Sequence, residues 1–201
     1  MRVGKIEATA SFFLLMAWLN YLDRQAIVPL AMIACALHEL GHYLIIRWMG
    51  GNIKLICLTA VGAEMVLSRP LNYWQEGGAA LAGPGMNLLL ALVFSQWEWS
   101  RLFAGLNLVL GCFNLMPIGR LDGGRTMYCT LALLLGPDLA QRVAAWMDIV
   151  FTALILTTGL LLFGVGGNVT LLLVAVWMVA IFVSGKKKGN RSCHAGRKQV
   201  K

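Results

Sequence analysis

Apolar residues run along the chain in long blocks separated by short polar breaks, and the block lengths set the first expectations. Six blocks, approximately 8–22, 26–47, 77–97, 101–117, 143–163 and 168–184, read as spanning helices, because about 20 helical residues at 1.5 Å each cross roughly 30 Å of hydrocarbon. The first block is short, about 22 Å as a helix, so it stands nearly upright or thins the bilayer around it. Asp23, Arg24 and Gln25 form a tight polar turn into the second. Residues 53–68, IKLICLTAVGAEMVLS, depart from the pattern: β-branched residues alternate in part with others, Gly62 lies centrally, and Lys54 and Glu64 carry charge. A hairpin or re-entrant loop against the bundle suits that stretch better than a span. Residues 123–136, GGRTMYCTLALLLG, are apolar but short; they either extend the fourth span or lie in the interface.

Composition supports the membrane reading. Hydrophobic residues make up 59% of the 201 and charged residues 13%, with a mean hydropathy of +0.72, against roughly 25% charged in soluble domains. The expected fold is an all-α polytopic membrane protein of about six transmembrane helices. One transmembrane domain is expected over 1–184, with a basic, disordered tail at 185–201. Arg2 and Lys5 before the apolar run Phe12–Leu19 mimic a signal peptide, yet Asn20, Tyr21 and Leu22 follow in place of a small-x-small cleavage site. A retained first span is expected.

Charge then orients the chain. Six spans put both termini on one side, and all 17 basic residues except Arg24 and Arg101 fall on that side. The positive-inside bias makes it the cytoplasm. The tail KKKGNRSCHAGRKQVK is basic without an aromatic residue. Anionic lipid suits it better than nucleic acid, which favours stacking side chains. The five cysteines, Cys35, Cys57, Cys112, Cys129 and Cys193, have no metal or redox spacing and read as reduced and structural.

The second block holds the chemistry. ACALHELGHYLIIRW, residues 34–48, buries two histidines and a glutamate in a stretch that otherwise reads as hydrocarbon, where each costs on the order of 2–3 kcal/mol unless partnered. His38 and His42 are four apart, so on a helix they point the same way, one turn from each other, and both can ligate one ion. Glu39 lies about 100° round from His38. This is the H-E-x-x-H arrangement of zinc hydrolases, in which the glutamate is the general base. Paired polar residues in a bundle core are the bland alternative.

A catalytic zinc usually takes a third protein ligand, and the candidates are Asp122, Asp148 and Glu64. Asp122 sits in NLMPIGRLDGGR, where Pro117 interrupts the fourth helix and Gly123 and Gly124 permit turns. A carboxylate on a broken helix end can reach an ion on a neighbouring helix. Its depth also matches that of the histidines. Asp148 more naturally pairs with Arg142 or another polar neighbour.

HELGH together with NLMPIGRLDGG resembles the site-2 protease family of intramembrane zinc metalloproteases. The second signature, N-x-x-P-x-x-x-L-D-G, is matched by Asn114, Pro117, Leu121, Asp122 and Gly123, and AGPGMN at 82–87 is similar to the family's A-G-P-x-x-N. The resemblance implies a three-helix catalytic core within 26–135 and a re-entrant β-hairpin-like loop. It further implies one Zn2+ on His38, His42 and Asp122, with Glu39 as base. Asn114 and Asn87 would hydrogen-bond the substrate backbone or the developing oxyanion, and Gly123 would join the substrate-binding set. The short first span is similar to that of the bacterial sporulation-factor branch, whose member cleaves a sigma-factor precursor. Neither the CBS domain usual there nor the PDZ domain of other branches is evident.

The expected activity is therefore cleavage of transmembrane or membrane-associated proteins near the cytoplasmic side of a bacterial cell membrane, for example a transcription-factor precursor or an anti-sigma factor. A substrate helix would have to unwind and lie extended, as a strand added to the edge of the 53–68 hairpin. A metal transporter would explain the two histidines but neither Glu39 nor the Asn114-to-Asp122 pattern; an inactive scaffold would not need the full set of ligands and base.

Overall fold

The structure, a computed structural model, describes residues 2–3, 6–23, 26–59 and 62–164. The expected span at 168–184 and the basic tail lie outside the described residues. The chain divides into two compact units, 1–144 and 145–201.

In the first unit, strands β1 (Arg2–Val3) and β2 (Ile6–Ala8) precede α1 (Ala10–Leu22) and α2 (Ile27–Trp48). Strands β3 (Ile53–Thr59) and β4 (Gly62–Leu67) follow, then α3 (Tyr73–Phe94), α4 (Arg101–Asn114) and α5 (Asp122–Leu135). Helix α6 (Pro137–Gly164) begins here, and its residues from Ala145 onward are the described part of the second unit.

Among the described residues, three helical stretches are long and apolar enough to cross a membrane: Ile27–Trp48, Tyr73–Phe94 and Pro137–Leu161. The expected first and fourth spans form shorter helices, of 13 and 14 residues. Segment 123–136 does not prolong the fourth helix: its residues as far as Leu135 belong to a helix of their own, set off by the turn at 115–121. Within that turn Ile118 N–H donates to the Met116 carbonyl and Leu121 N–H to that of Ile118, both at 2.8 Å, so chain direction changes without stranding backbone groups.

The hairpin forms where the alternation placed it, with Ile56 opposite Met65 and Cys57 opposite Glu64. The sheet is nevertheless larger than a hairpin. Its order is β1-β2-β3-β4, with β2 parallel to β3 and Ala8 opposite Leu58. The all-α expectation is corrected accordingly: residues read as a lead-in to the first span supply two strands. Thr9 secures them, since its N–H and its Oγ1 both donate to the Leu58 carbonyl, at 3.0 and 3.1 Å.

That bond also fixes which edge is open. The Leu58 carbonyl faces β2, so by alternation Cys57 and Thr59 face β4, and Ser68 N–H donates to Asn52 at 2.8 Å. Along β4, Gly62, Glu64 and Val66 therefore turn their backbone groups toward β3, whereas Ala63, Met65 and Leu67 turn theirs away.

Helix α3 is the hub, packed against α2, α4 and α5. Asn72 and Gln75 start it with a capping box. Its buried residues are small: Gly77, Ala79, Ala80, Gly83, Ala91, with Pro84 and Asn87. Small residues let backbones approach, which is how helices gain contact where hydrocarbon surrounds them. A Cβ on Gly41 of α2 would lie 2.7 Å from the Ala82 carbonyl and 3.0 Å from Met86 Cβ. Ile46, Ile53 and Ala79, flanked by Ile56 and Met65, tie the hairpin to these two helices. Gly41→Ala is thus expected to destabilise the bundle by about 1–3 kcal/mol through overpacking; an unchanged thermal midpoint in detergent would show that α2 and α3 part freely.

Candidate metal centre

His38 and His42 stand midway along α2, on the face that meets α3. Their Nε2 atoms are 3.1 Å apart. Asp122, the first residue of α5, brings Oδ2 to 3.0 Å from His38 Nε2 and 3.2 Å from His42 Nε2. All three residues are buried, at 6%, 9% and 8% exposure.

The hydrogen bonds behind the rings determine where their protons are. His42 Nδ1 faces the Ala79 carbonyl at 2.7 Å; a carbonyl only accepts, so Nδ1 carries the proton. His38 Nδ1 faces Asn87 Oδ1 at 2.5 Å. Asn87 Nδ2 is committed to Asn107 Oδ1 at 2.7 Å and reaches the Ala34 carbonyl at 3.4 Å, so its oxygen is the atom turned to His38. In the neutral form both rings would therefore aim the Nε2 lone pair at the same point as the Asp122 carboxylate.

Three acceptors at 3.0–3.2 Å repel unless a cation lies among them. A tetrahedral ion with bonds of about 2.0–2.1 Å spaces its ligands roughly 3.3 Å apart, and two imidazoles with a carboxylate are a donor set that zinc accepts. The residues fit the group.

Glu39 is half-buried on α2, within electrostatic reach of His38, His42, Asp122 and Arg125. Arg125, one turn into α5, places Nη2 3.3 Å from Glu76 Oε1 and Nη1 4.0 Å from Asp122 Oδ1. A cleft of about 200 Å³ beside it is lined by Glu76, Gly119, Gly124, Arg125, Tyr128 and Ala144.

Other expected site residues fall differently. Asn87 is wholly buried behind His38, its amide engaged on both sides, so it has no group to offer a substrate. Gly123 has a packing reason instead: a Cβ there would lie 2.1 Å from the Leu115 carbonyl, and one on Gly124 would lie 2.1 Å from that of Ile118. Neither has a positive φ; what they permit is the turn lying against the start of α5. Asn114, half-buried, ends α4 and donates Nδ2 to the Leu110 carbonyl at 3.0 Å. Glu64 is an exposed β4 residue opposite Cys57.

Sequence reasoning missed Asn107, wholly buried on α4. The available signal was its place seven residues before Asn114, on the same helix face. Gly83, within AGPGMN, faces the centre directly: a Cβ there would meet His42 Nε2 at 2.3 Å and His38 Nε2 at 2.7 Å.

No family model matches the chain. A zinc metalloprotease of Methanocaldococcus jannaschii is 26% identical over 160 residues, 74% of this chain and 46% of its own length. A Synechocystis protein that also carries a zinc metalloprotease name is 35% identical over 102 residues, 45% of this chain and 27% of its own. The chain therefore spans less than half the length of these relatives. The solved structure of the site-2 protease from Methanocaldococcus jannaschii superposes with a TM-score of 0.67 at 24% identity, over 95% of this chain and 94% of that one. The two share a fold.

Gly83→Ala is expected to push the imidazoles off their common point and to weaken divalent-ion binding by roughly tenfold or more. Competition against a chromophoric chelator measures this; unchanged affinity would mean that the rings can shift without loss.

Proposed function

We propose that this chain belongs to the site-2 protease family, whose fold it shares, and is an intramembrane zinc metalloendopeptidase acting on transmembrane or membrane-associated proteins. The observation that carries this reading is the meeting of three buried lone pairs from two helices, beside a glutamate, midway along an apolar helix. His38, His42 and Asp122 would hold the ion through Nε2, Nε2 and Oδ2. When bound, zinc supplies Lewis acidity, bringing the pKa of a water near 7 and polarising the scissile carbonyl.

The chain's own groups do the rest. Glu39 accepts the proton of the attacking water and returns it to the leaving amine, work worth typically 10²–10⁴-fold. Asn114 keeps one Nδ2 proton on Leu110 and has a second to donate to the developing oxyanion, a contribution of about 10²–10³ where such donors have been removed. Asn87 holds His38 rather than the substrate. Hydrolysis in hydrocarbon needs an aqueous route to the centre, and the charged pair Arg125 and Glu76 beside Asp122 marks the side from which water would enter.

The substrate must expose its peptide bonds. A helix hides them in its own hydrogen bonds, and the open edge of β4 offers Ala63, Met65 and Leu67 as partners for an extended segment. The basic-residue distribution supports termini in the cytoplasm of a bacterial cell, cleavage near that face, and contact of the tail with anionic lipid rather than nucleic acid. Proteolysis of a membrane-tethered transcription-factor precursor or an anti-sigma factor fits such a site.

Co-expression with candidate single-span membrane proteins tests the reading. Glu39→Gln should abolish cleavage while the purified protein still binds one zinc; undiminished cleavage by that variant would reject the mechanism. Ala63→Pro removes an outward N–H that the hairpin does not use, and is expected to slow cleavage about tenfold or more with the fold intact. Full activity in that variant would rule out strand addition.

A further inference from the structure

We infer that Asn107 is a positioning residue for the metal centre: acting through Asn87, it fixes the tautomer of His38. The inference rests on the metal-site reading above and extends it to a third helix.

The two histidines are secured by different means. His42 donates Nδ1–H to the Ala79 backbone carbonyl, which cannot be exchanged for a donor. His38 relies on a side-chain amide, and an amide has two nearly isosteric ends. Turned half round, Asn87 would present its NH2 to His38 Nδ1. The favoured tautomer would then carry its proton on Nε2, and a protonated Nε2 cannot ligate an ion.

Asn107 prevents that rotation. Its own amide is oriented by a backbone carbonyl, for Nδ2 donates to Phe103 at 2.9 Å. Oδ1 is thereby turned to Asn87 and accepts from its Nδ2 at 2.7 Å. Orientation passes from the Phe103 carbonyl through two amides to the imidazole, with α4, α3 and α2 each supplying one side chain. The remaining restraint on Asn87 is the 3.4 Å contact to Ala34, at the long limit of a hydrogen bond. Both asparagines are 0% exposed, so no water competes for their protons. Packing seats the relay: Ala104 and Gly111 are buried with Asn107 on one face of α4, and a Cβ on Gly111 would touch Leu88 and Asn87.

Zinc affinity of the purified full chain in detergent, measured by chelator competition, tests this against His38→Ala as reference. Asn107→Leu removes the acceptor and is expected to weaken zinc binding 10–100-fold, the usual effect of losing a group that orients a ligand. Asn107→Asp keeps an acceptor for Asn87 Nδ2 and should stay within about threefold of the wild type. A purely structural asparagine would lower the thermal midpoint of the zinc-free protein yet leave affinity alone. That result, or a loss in the aspartate variant as large as in the leucine one, overturns the inference. Should Asn107→Leu not fold, Asn107→Ala removes the same acceptor without the added bulk, and wild-type affinity in it is equally decisive against the relay. If the wild type binds no more zinc than His38→Ala, the metal reading itself fails and the relay with it. Wild-type affinity in Asn107→Leu, with binding lost in His38→Ala, overturns the relay alone.

Discussion

The convergence of His38, His42 and Asp122 on one buried point is the constraint around which this bundle is arranged. Two imidazole nitrogens and a carboxylate oxygen lie 3.0–3.2 Å apart in a buried site, and each group is oriented from behind. The backbone carbonyl of Ala79 and the amide of Asn87 do this for the rings. For Asp122, the Arg125 guanidinium stands 4.0 Å from the other carboxylate oxygen. Low polarity strengthens every one of these bonds, and by the same token makes an unpaired partner expensive.

Helix α3 serves that constraint more than any other element. It supplies both groups behind the rings, and through Gly83 it leaves the space in front of them. Its buried face is mostly alanine and glycine, with Pro84 and Asn87, so α2 and α5 can approach closely enough for two helices to share one point. In lipid, where burying leucine against leucine gains little, such close approach is also a main source of helix association. The residues that bring the helices together are therefore those that shape the site.

The site was largely legible because polar residues inside an apolar run are few and their spacing is informative. The 38/42 pair shares a helix face by arithmetic alone, and the 53–68 hairpin announced itself through alternation and a central glycine. The N-terminal strands were hidden by their length, two and three residues, too short to show a period and held mainly by pairing with a segment some fifty positions away. The division between α4 and α5 was suggested by Pro117, yet hydropathy could not tell a short re-starting helix from a prolonged span. Asn107 lies in no motif and interacts through a second asparagine; a role exerted at one remove leaves little trace in composition. Asn87, conversely, was visible in AGPGMN, but its contact with His38 was not, because spacing reveals proximity to a centre and not the side from which a residue faces it.

Asp122 is the N-terminal residue of its helix, and this position has an electronic consequence. Aligned peptide dipoles leave roughly half a positive elementary charge at such an end. That field favours the ionised carboxylate, but it also draws electron density back from the oxygen that faces the imidazoles. A cation seated there would receive less donation from this ligand than from a carboxylate in mid-helix, would keep more of its own charge, and would be the stronger electrophile for it.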